Sequence, residues 1–276
     1  MTAPKPASKP VIDADAVSVL MREAAVAEVL PRFGQLDPSE IATKSGPDDL
    51  VTAADLGCEA FLTPRLESLL PGSRVVGEEA VAADPSQLDW LNQPGDVWVI
   101  DPVDGTHNFA NGRPDFVVIV ALVRDGSLLG GWIHAPLLDK TYAAMRGEGA
   151  YCDGRKLQVA TPAPLAQMHA VMYVGPKKFP ALHARVKATR EELGPRSYSR
   201  SAGMEYVGLI EGRVHYAMFT RQLPWDHAAG WLLHREAGGY GAYLDGTPYT
   251  PVVAAEPYLL APDLNTWQLI RDFYSS

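Results

Sequence analysis

Apolar residues recur at a helical period in two segments near the start of the chain. After a Pro-, Lys- and Ser-rich stretch at 1–10, which we expect to be a disordered tail, the pattern predicts an amphipathic helix over 11–33. A second helix is predicted over 52–70. Thr52 is placed to cap its N-terminus, and Asp55 stands three residues later, where the partner in a capping box would be.

Between the second helix and residue 157 the apolar runs become short and have the composition of strands. The segment 74–80, RVVGEEA, predicts a short strand that leads to an acidic turn. VWVI predicts a strand that ends at about Asp101, because Pro102 lacks the amide hydrogen that a sheet ladder needs. From 116 to 157, β-rich runs alternate with turn clusters, which is typical of an antiparallel meander.

From about residue 167, strands alternate with helices again. Strands are predicted within 168–174, 214–219, 238–243 and 257–261, and helices near 179–193, near 202–211, from Trp225 and over 263–274. The Pro-containing segment 161–166 interrupts the pattern, so we expect two halves, 11–160 and 161–276, that each mix sheet and helix. Separate helix runs on mixed sheets indicate an α+β or layered α/β fold rather than a Rossmann succession.

Composition and charge exclude several classes of protein. The 276 residues are 47% hydrophobic and 21% charged, as in an ordinary globular protein, and the net charge of −9 argues against a general nucleic-acid-binding surface. No apolar run approaches the length of a membrane span, and we see no export or organelle signal. The two cysteines, Cys58 and Cys152, are too few for a disulfide scaffold. We therefore expect a cytoplasmic protein without membrane or nucleic-acid partners.

The segment 98–109, WVIDPVDGTHNF, ends an apolar run with two aspartates three residues apart. One explanation is a turn stabilised by ordinary Asx hydrogen bonds. The other is a cation site: the backbone amides of Gly105 and Thr106 could hold a phosphate, which Asp101 and Asp104 would repel unless a cation lay between. Mg²⁺ is the oxygen-seeking cation that binds carboxylates and substrate phosphates together. This segment alone leaves both explanations open.

Two further segments place carboxylates where a strand or loop meets a helix. VVGEEA carries Glu78 and Glu79 directly after a strand, and PWDHAAGW carries Asp226 at the start of a helix. Taken singly, the first could be an exposed acidic turn or a helix N-terminus, and the second an N-cap aspartate. Gathered in one pocket with Asp101 and Asp104, these carboxylates would be unstable without divalent cations. Two such ions about 3.5 to 4 Å apart suit in-line attack of water on a phosphoryl group.

These segments belong to a series of four ordered motifs, KSGPDDLVTAAD, GEEA, DPVDGTHNF and WDHAAG. The series resembles that of the inositol monophosphatase family, whose patterns D-P-[IV]-D-G-T-x-N-F and W-D-x-A-A-G the last two motifs match. The matches extend over about 44–150 and 200–239. The resemblance implies a layered αβαβα sandwich of the type shared with fructose bisphosphatase. It also implies a lithium-sensitive, Mg²⁺-dependent homodimer that hydrolyses an inositol phosphate, a sugar phosphate, histidinol phosphate or a similar metabolite.

The resemblance also implies a role for each metal ligand. Glu78, Asp101 and the backbone carbonyl group of Val103 would hold a first Mg²⁺ ion. Asp101 would bridge to a second ion, held also by Asp104 and Asp226. Glu78 would reach a more weakly bound third ion. The sequence therefore predicts two or three Mg²⁺ ions in one site.

Catalysis in such a site would use water as the nucleophile. By resemblance, Asp55 and Thr106 would orient and deprotonate that water, Gly105 and Thr106 would bind the phosphate, and Lys44 near the mouth would steer charge. The leaving alkoxide would be protonated near Asp226. The spacing of three between the aspartates of DPVDG also differs from the D-x-D-G-T of haloacid-dehalogenase phosphatases, whose first aspartate becomes phosphorylated.

The leaving alcohol is the least determined part of the prediction. Family members that bind inositol carry a glutamate seven residues before the second-motif aspartate, and here Phe219 occupies that position. A phenyl ring cannot accept hydrogen bonds from ring hydroxyls, so a substrate with an apolar or aromatic portion, or a polar replacement at Arg221 or Gln222, is our hypothesis. The residues expected around the substrate and its phosphate are Val103, Asp104, Gly105, Thr106, Arg200, Ser201, Ala202, Phe219 and Asp226.

The alternative function is a binding or regulatory protein that keeps the fold without turnover. Loss of carboxylates from the site would favour this alternative. Every carboxylate that the resemblance requires is present, so we expect an enzyme.

Overall fold

A computed structural model describes residues 12–44, 50–254 and 256–275. The tail predicted at 1–10 and the start of the first helix at Val11 therefore lie outside the described residues. The helices are α1 (Ala14–Ala24), α2 (Ala53–Leu69), α3 (Glu78–Ala83), α4 (Thr106–Ala110), α5 (Pro180–Ala188), α6 (Ala202–Ile210), α7 (Pro224–Glu236) and α8 (Leu264–Ser275). The strands are β1 (Ile41–Thr43), β2 (Leu50–Thr52), β3 (Arg74–Gly77), β4 (Asp96–Asp104), β5 (Val117–Arg124), β6 (Ser127–Ala135), β7 (Lys140–Met145), β8 (Gly149–Cys152), β9 (Arg155–Lys156), β10 (Ala170–Met172), β11 (Arg196–Ser197), β12 (Tyr216–Phe219), β13 (Tyr240–Tyr243) and β14 (Tyr258–Ala261).

Two sheets form the framework of the molecule. The first has seven strands in the order β3-β4-β5-β6-β7-β8-β9, with β3 and β4 parallel and every later pair antiparallel. The predicted meander is thus confirmed. The second sheet has five strands in the order β11-β10-β12-β14-β13, of which β11, β10 and β12 are parallel.

Alternating side chains of these strands separate three apolar cores. In β4, Trp98 belongs to the core beneath α1 and α2, whereas Val99 belongs to the core that contains α6 and α7. In β12, Ala217 faces this same middle core and Met218 faces the outer core with α8. Because successive side chains of a strand point to opposite faces, each sheet is covered by helices on both sides. The predicted αβαβα layering is confirmed.

Of the two local structures considered for Glu78 and Glu79, an exposed acidic turn and a helix N-terminus, the structure shows the second: α3 begins at Glu78 directly after β3. Two other local predictions were wrong. Strand β4 does not end at Asp101 but continues to residue 104, because a bulge accommodates Pro102. The helix expected near 179–193 ends at Ala188, where a turn follows.

The first predicted helix changes its winding before it ends. The α-helix Ala14–Ala24 continues as a π-helical turn, Ala25–Val29, and then a 3₁₀ turn, Leu30–Arg32. Pro31 lies in that last turn, where its missing amide hydrogen prevents further α-helix.

Both cysteines are buried and free, Cys58 in α2 and Cys152 in β8. Among the described helices, none is long and apolar enough to cross a membrane.

Candidate active site

A bulge in β4 places both aspartates of the central motif on the same face of the first sheet. Asp101 pairs with Ile119 of β5, and Asp104 pairs with Val117, so three steps along β4 match two steps along β5. In a regular strand, residues three apart point to opposite faces. The extra residue of the bulge cancels that alternation. Both carboxylates therefore point toward the middle layer, to which Ile119 and Val117 also belong.

Close packing of α7 brings the third carboxylate to this pair. A Cβ atom on Gly131 of β6 would lie 2.9 Å from the Cα atom of Ala229, so the helix lies almost directly on the sheet. Asp226 in the first turn of α7 thereby reaches Asp101 and Asp104. The three side chains offer ligand oxygens that all lie within 4.8 Å of one another.

This carboxylate cluster is electrostatically unfavourable without a cation. Burial, followed by the charge of Glu78 and of the other two members, raises the pKa of Asp101 well above its usual range. Burial and the charge of Asp104 do the same to Asp226. The pKa of Asp104 is raised to about 6 by burial, although a 2.6 Å hydrogen bond from the Ser201 hydroxyl group favours its charged form. An all-oxygen, acidic donor set of this kind fits a hard divalent cation.

Glu78 lies on the wall of the same cleft but outside the three-carboxylate cluster. Lys44 places its ammonium group 2.7 Å from Glu78 and 2.7 Å from Glu79. Burial disfavours the ammonium charge, but the two carboxylates outweigh it and raise the pKa of Lys44. Lys44 is therefore bound to two glutamates, one of which, Glu78, lines the cleft.

The position of Glu78 depends on a buried glutamate that the sequence reasoning missed. Glu59 of α2 accepts the amide hydrogen of Glu79 (2.9 Å), and so caps the N-terminus of α3. A Cβ atom on Gly77 would lie 2.2 Å from the Glu59 carboxyl carbon, so only glycine fits beside this cap. The chain thus needs Gly77 in VVGEEA to place Glu78 at the cleft.

Asp55 and Thr106, which the resemblance places beside the attacking water, lie within hydrogen-bonding distance of each other. The capping box at the start of α2 is present: Asp55 accepts the Thr52 amide hydrogen (2.8 Å) and the Thr52 hydroxyl group lies 2.6 Å away. The other Asp55 oxygen lies 3.2 Å from the Thr106 hydroxyl group, which is also 2.9 Å from the Val103 carbonyl oxygen. One hydroxyl hydrogen serves these two acceptors in turn. Burial raises the pKa of Asp55 to about 6, in the range of a general base.

The turn between β4 and α4 requires glycine. Gly105 has φ of 92°, in the left-handed region, and a Cβ atom there would lie 2.6 Å from the carbonyl oxygen of Asp115. This turn directs Thr106, the first residue of α4, into the cleft.

The loop at 200–202 supports Asp104 as well as lining the cleft. Besides the Ser201 hydroxyl group, the amides of Ala202 (3.1 Å) and Gly203 (2.7 Å) donate to the carboxylate of Asp104. Arg200 has φ of 60° and places a guanidinium nitrogen 3.3 Å from His107. The three residues of this loop, which were among those predicted to contact substrate, all line the cleft. Ser201 is nevertheless fully buried, and its hydroxyl group already donates to Asp104.

A buried carboxyl group that the sequence reasoning missed anchors this loop. Glu205 accepts the amide hydrogen of Ser199 (3.0 Å), and Asn108 donates to the Ser199 carbonyl oxygen (2.8 Å). Burial raises the pKa of Glu205 to about 8, with a contribution from the charge of Asp104. A single acidic residue inside the apolar run AGMEYVGLI was the available signal.

We expect the difference in free energy of unfolding between Glu205→Gln and the wild type to shift in favour of the variant as the pH rises. Between its ordinary value of 4.5 and about 8, Glu205 keeps its proton in the folded state but loses it on unfolding, so wild-type stability falls. One such proton corresponds to a slope of about 1.4 kcal/mol per pH unit at most. Glutamine retains the hydrogen bond from Ser199 and does not ionise. Urea unfolding of both proteins from pH 5 to 9 would measure the difference, and a constant difference would contradict the assignment.

The cleft has a volume of about 560 Å³ and continues from the carboxylates past β12. Phe219 lies in its wall, stacked on Tyr206 at 5.3 Å and edge-on to His227 at 4.7 Å. Of the two polar replacements considered, Arg221 lines the cleft. Gln222 is fully buried and donates to backbone carbonyl groups, including that of Phe219 (3.2 Å).

His227 stabilises this wall of the cleft through hydrogen bonds on both ring nitrogens. Its Nε2 atom lies 3.0 Å from the Arg221 carbonyl oxygen, so Nε2 carries the hydrogen. Its Nδ1 atom then accepts the hydroxyl hydrogen of Tyr206 (3.2 Å). Burial lowers the pKa of His227 to about 3, which keeps the ring neutral.

Comparison with known proteins finds one family whose sequences and fold are similar to those of this chain. The sequence pattern of the inositol monophosphatase family matches residues 13–274. An inositol-1-monophosphatase of Bacillus subtilis is 33% identical over 216 residues, which cover 76% of this chain and 78% of that protein. A fructose-1,6-bisphosphatase/inositol-1-monophosphatase of Thermotoga maritima is 31% identical over 212 residues, 75% of each chain. The solved structure of a Thermotoga maritima inositol monophosphatase superposes with a TM-score of 0.80 at 24% identity, covering 95% of this chain and 96% of that one.

Proposed function

Since the chain belongs to the inositol monophosphatase family, a family of metal-dependent phosphatases that hydrolyse phosphate monoesters, we propose that it is an Mg²⁺-dependent phosphomonoesterase acting on a small phosphorylated metabolite. The observation that carries the proposal is the buried cluster of Asp101, Asp104 and Asp226 within 4.8 Å. Burial alone would favour neutral carboxyl groups there. A site built from three of them is stable when divalent cations supply the opposite charge.

We assign the metal ligands to five residues. They are Glu78, Asp101, the carbonyl group of Val103, Asp104 and Asp226, which all line one cleft. Divalent cations bound there would neutralise the phosphoryl oxygens and acidify the attacking water. Two cations, or three with a weaker one near Glu78, are what the resemblance implies.

The chain's own groups then position and deprotonate the water. The Thr106 hydroxyl group, held between Asp55 and the Val103 carbonyl oxygen, orients a water molecule at the phosphoryl group. Asp55, whose pKa of about 6 leaves it mostly ionised near neutral pH, accepts the proton through this hydroxyl group. Amides of the Gly105–Thr106 turn contact the phosphate oxygens. Lys44 offsets the charges of the glutamates at the rim.

The alcohol part of the substrate faces Phe219 and Arg221. The names of the two relatives differ in the phosphate ester that they state, so family membership leaves this choice open. Because Phe219 offers no acceptor for ring hydroxyls, we expect inositol 1-phosphate not to be the best substrate. Phosphate release from inositol 1-phosphate, histidinol phosphate, fructose 1,6-bisphosphate and adenosine 3′,5′-bisphosphate measures the preference. If inositol 1-phosphate is clearly hydrolysed fastest, the argument from Phe219 is wrong.

The central test is metal-dependent hydrolysis. We expect the purified chain to hydrolyse a generic ester such as p-nitrophenyl phosphate with Mg²⁺, and to lose that activity with a chelator. We also expect inhibition by millimolar Li⁺, as the resemblance implies. If no phosphate ester is hydrolysed under any metal condition, the alternative of a binding protein with this fold is favoured.

The resemblance further implies a homodimer in the cytoplasm, which we retain as part of the proposal. Sedimentation velocity would measure the oligomeric state directly.

A further inference from the structure

Three parallel strands of the second sheet end at the active-site cleft. Strands β11, β10 and β12 lie side by side, and the residues that follow them are Tyr198, Tyr173 and Thr220. All three residues line the cleft that contains the carboxylates. The carboxyl ends of parallel strands are where α/β folds commonly bind ligands.

Tyr173 and Tyr198 form an exposed aromatic pair at this edge. Their rings stack with centroids 5.1 Å apart and planes inclined by 20°. Tyr173 is 58% exposed and Tyr198 is 51% exposed, so each ring leaves a large face to solvent. A scattered exposed aromatic residue needs no explanation, but two aligned rings beside a reactive centre form a ready stacking surface.

Hydrogen bonds tie down the backbone beside both tyrosines. Ser199, next to Tyr198, is anchored on one side by Glu205 and on the other by Asn108. The carbonyl oxygen of Tyr173 accepts the Thr220 hydroxyl hydrogen at 3.4 Å. The backbone that carries the pair is therefore tied to the cleft wall, which reduces the entropic cost of stacking a ligand.

The cleft wall next to the tyrosine pair also carries groups that can contact an aromatic ring. Phe219 adds a third ring, backed by Tyr206. Arg221 also lines the cleft, and its positive charge acts on the carboxylate of Asp226. A guanidinium group in this position can contact a planar or anionic ligand. A cleft of about 560 Å³ holds an ester with a ring system.

We propose that the alcohol released by this phosphatase carries a planar aromatic ring that stacks on the Tyr173–Tyr198 pair, as the base of a nucleoside would. This inference rests on the proposed function and names its substrate class. In the reaction the water oxygen bonds to phosphorus, the ester P–O bond breaks, and a proton of water passes to the leaving alkoxide. The products are inorganic phosphate and the aromatic alcohol.

Two synthetic esters isolate the stacking contact. 2-Phenylethyl phosphate and 2-cyclohexylethyl phosphate have similar size and leaving-group basicity, but only the first has a planar ring. We expect kcat/KM with Mg²⁺ to favour the phenyl ester by about fivefold or more, the lower end of what one aromatic stacking contact contributes. Adenosine 2′-monophosphate against ribose 5-phosphate extends the comparison to nucleosides.

Variants at the pair identify the residues responsible. Tyr173→Leu and Tyr198→Leu should bring the ratio of the two kcat/KM values toward one, whereas Tyr173→Phe and Tyr198→Phe, which keep the rings, should preserve it. Tyr151→Leu, at an exposed tyrosine of β8 that does not line the cleft, is the matched control and should leave the ratio unchanged.

The outcomes separate this inference from the proposed function. A wild-type ratio near one, or a ratio that both leucine variants retain, overturns the stacking inference while hydrolysis upholds the phosphatase. If neither these two esters nor p-nitrophenyl phosphate is hydrolysed under any metal condition, the proposed function fails. In that case the dissociation constants of 2-phenylethyl phosphate and 2-cyclohexylethyl phosphate, measured by calorimetry on the same protein, test the stacking inference separately. Equal dissociation constants would overturn it.

Discussion

Replacing Asp101 with Asn should abolish phosphatase activity while leaving the metal-free protein at least as stable as the wild type. Asp101 is 2% exposed, and burial and four neighbouring carboxylates disfavour its charge. Asparagine removes that charge, keeps the acceptor for the Val103 amide hydrogen (3.1 Å), and can donate to Asp226.

The same substitution removes the ligand that we expect both metal ions to share. Loss of several kcal/mol of transition-state stabilisation corresponds to a decrease of kcat/KM by about 1,000-fold or more. Chemical unfolding with and without Mg²⁺, together with phosphate release, measures both effects. Asp96→Asn, in the same strand but paired with Arg124, is the control and should retain activity within about twofold. If Asp101→Asn keeps Mg²⁺-dependent activity, the metal assignment is wrong.

Replacing Gly105 with Ala should lower kcat/KM by about 100-fold and destabilise the fold, because the turn that aims Thr106 cannot accept a side chain. The left-handed backbone costs an alanine about 1–2 kcal/mol. In addition, its Cβ atom would lie 2.6 Å from the Asp115 carbonyl oxygen, and a backbone oxygen moves only if the turn moves.

Gly112 provides a control for backbone strain alone. It also has a positive φ of 64°, but a Cβ atom there would meet nothing within 4 Å. Gly112→Ala should therefore show a smaller loss of stability, from backbone strain alone, with activity close to that of the wild type. Steady-state kinetics and thermal unfolding of the two variants separate strain from displacement of the site. Equal activity in both variants would contradict the role of the Gly105 turn.

Local patterns in the sequence account for most of the fold. The capping box of Thr52 and Asp55 is formed by residues three apart, and its hydrogen bonds depend on no distant contact. The meander follows from alternation and turn residues between neighbouring strands. The sequence left the structure open where a distant residue decides: α3 begins at Glu78 because Glu59 caps it from another helix.

For the candidate site as well, the sequence predicted the residues that belong to local motifs but not those that matter through distant contacts. The four motifs select the carboxylates because residue types and spacing are sequence properties, and the structure brings Asp101, Asp104 and Asp226 together. The motifs do not reveal Glu205 or Tyr198, since neither carries a motif of its own. Their importance comes from contacts with Ser199 and from the end of a parallel strand.

The sequence by itself therefore determined the family, the layered fold class and the acidic residues of the site. The tertiary structure decided how those residues face one another. A spacing of three would send Asp101 and Asp104 to opposite faces of a regular strand, and only pairing with β5 shows the bulge that turns both inward. The Tyr173–Tyr198 pair likewise forms only when β10 and β11 lie side by side in parallel, because side-chain direction and strand neighbours are properties of the folded chain.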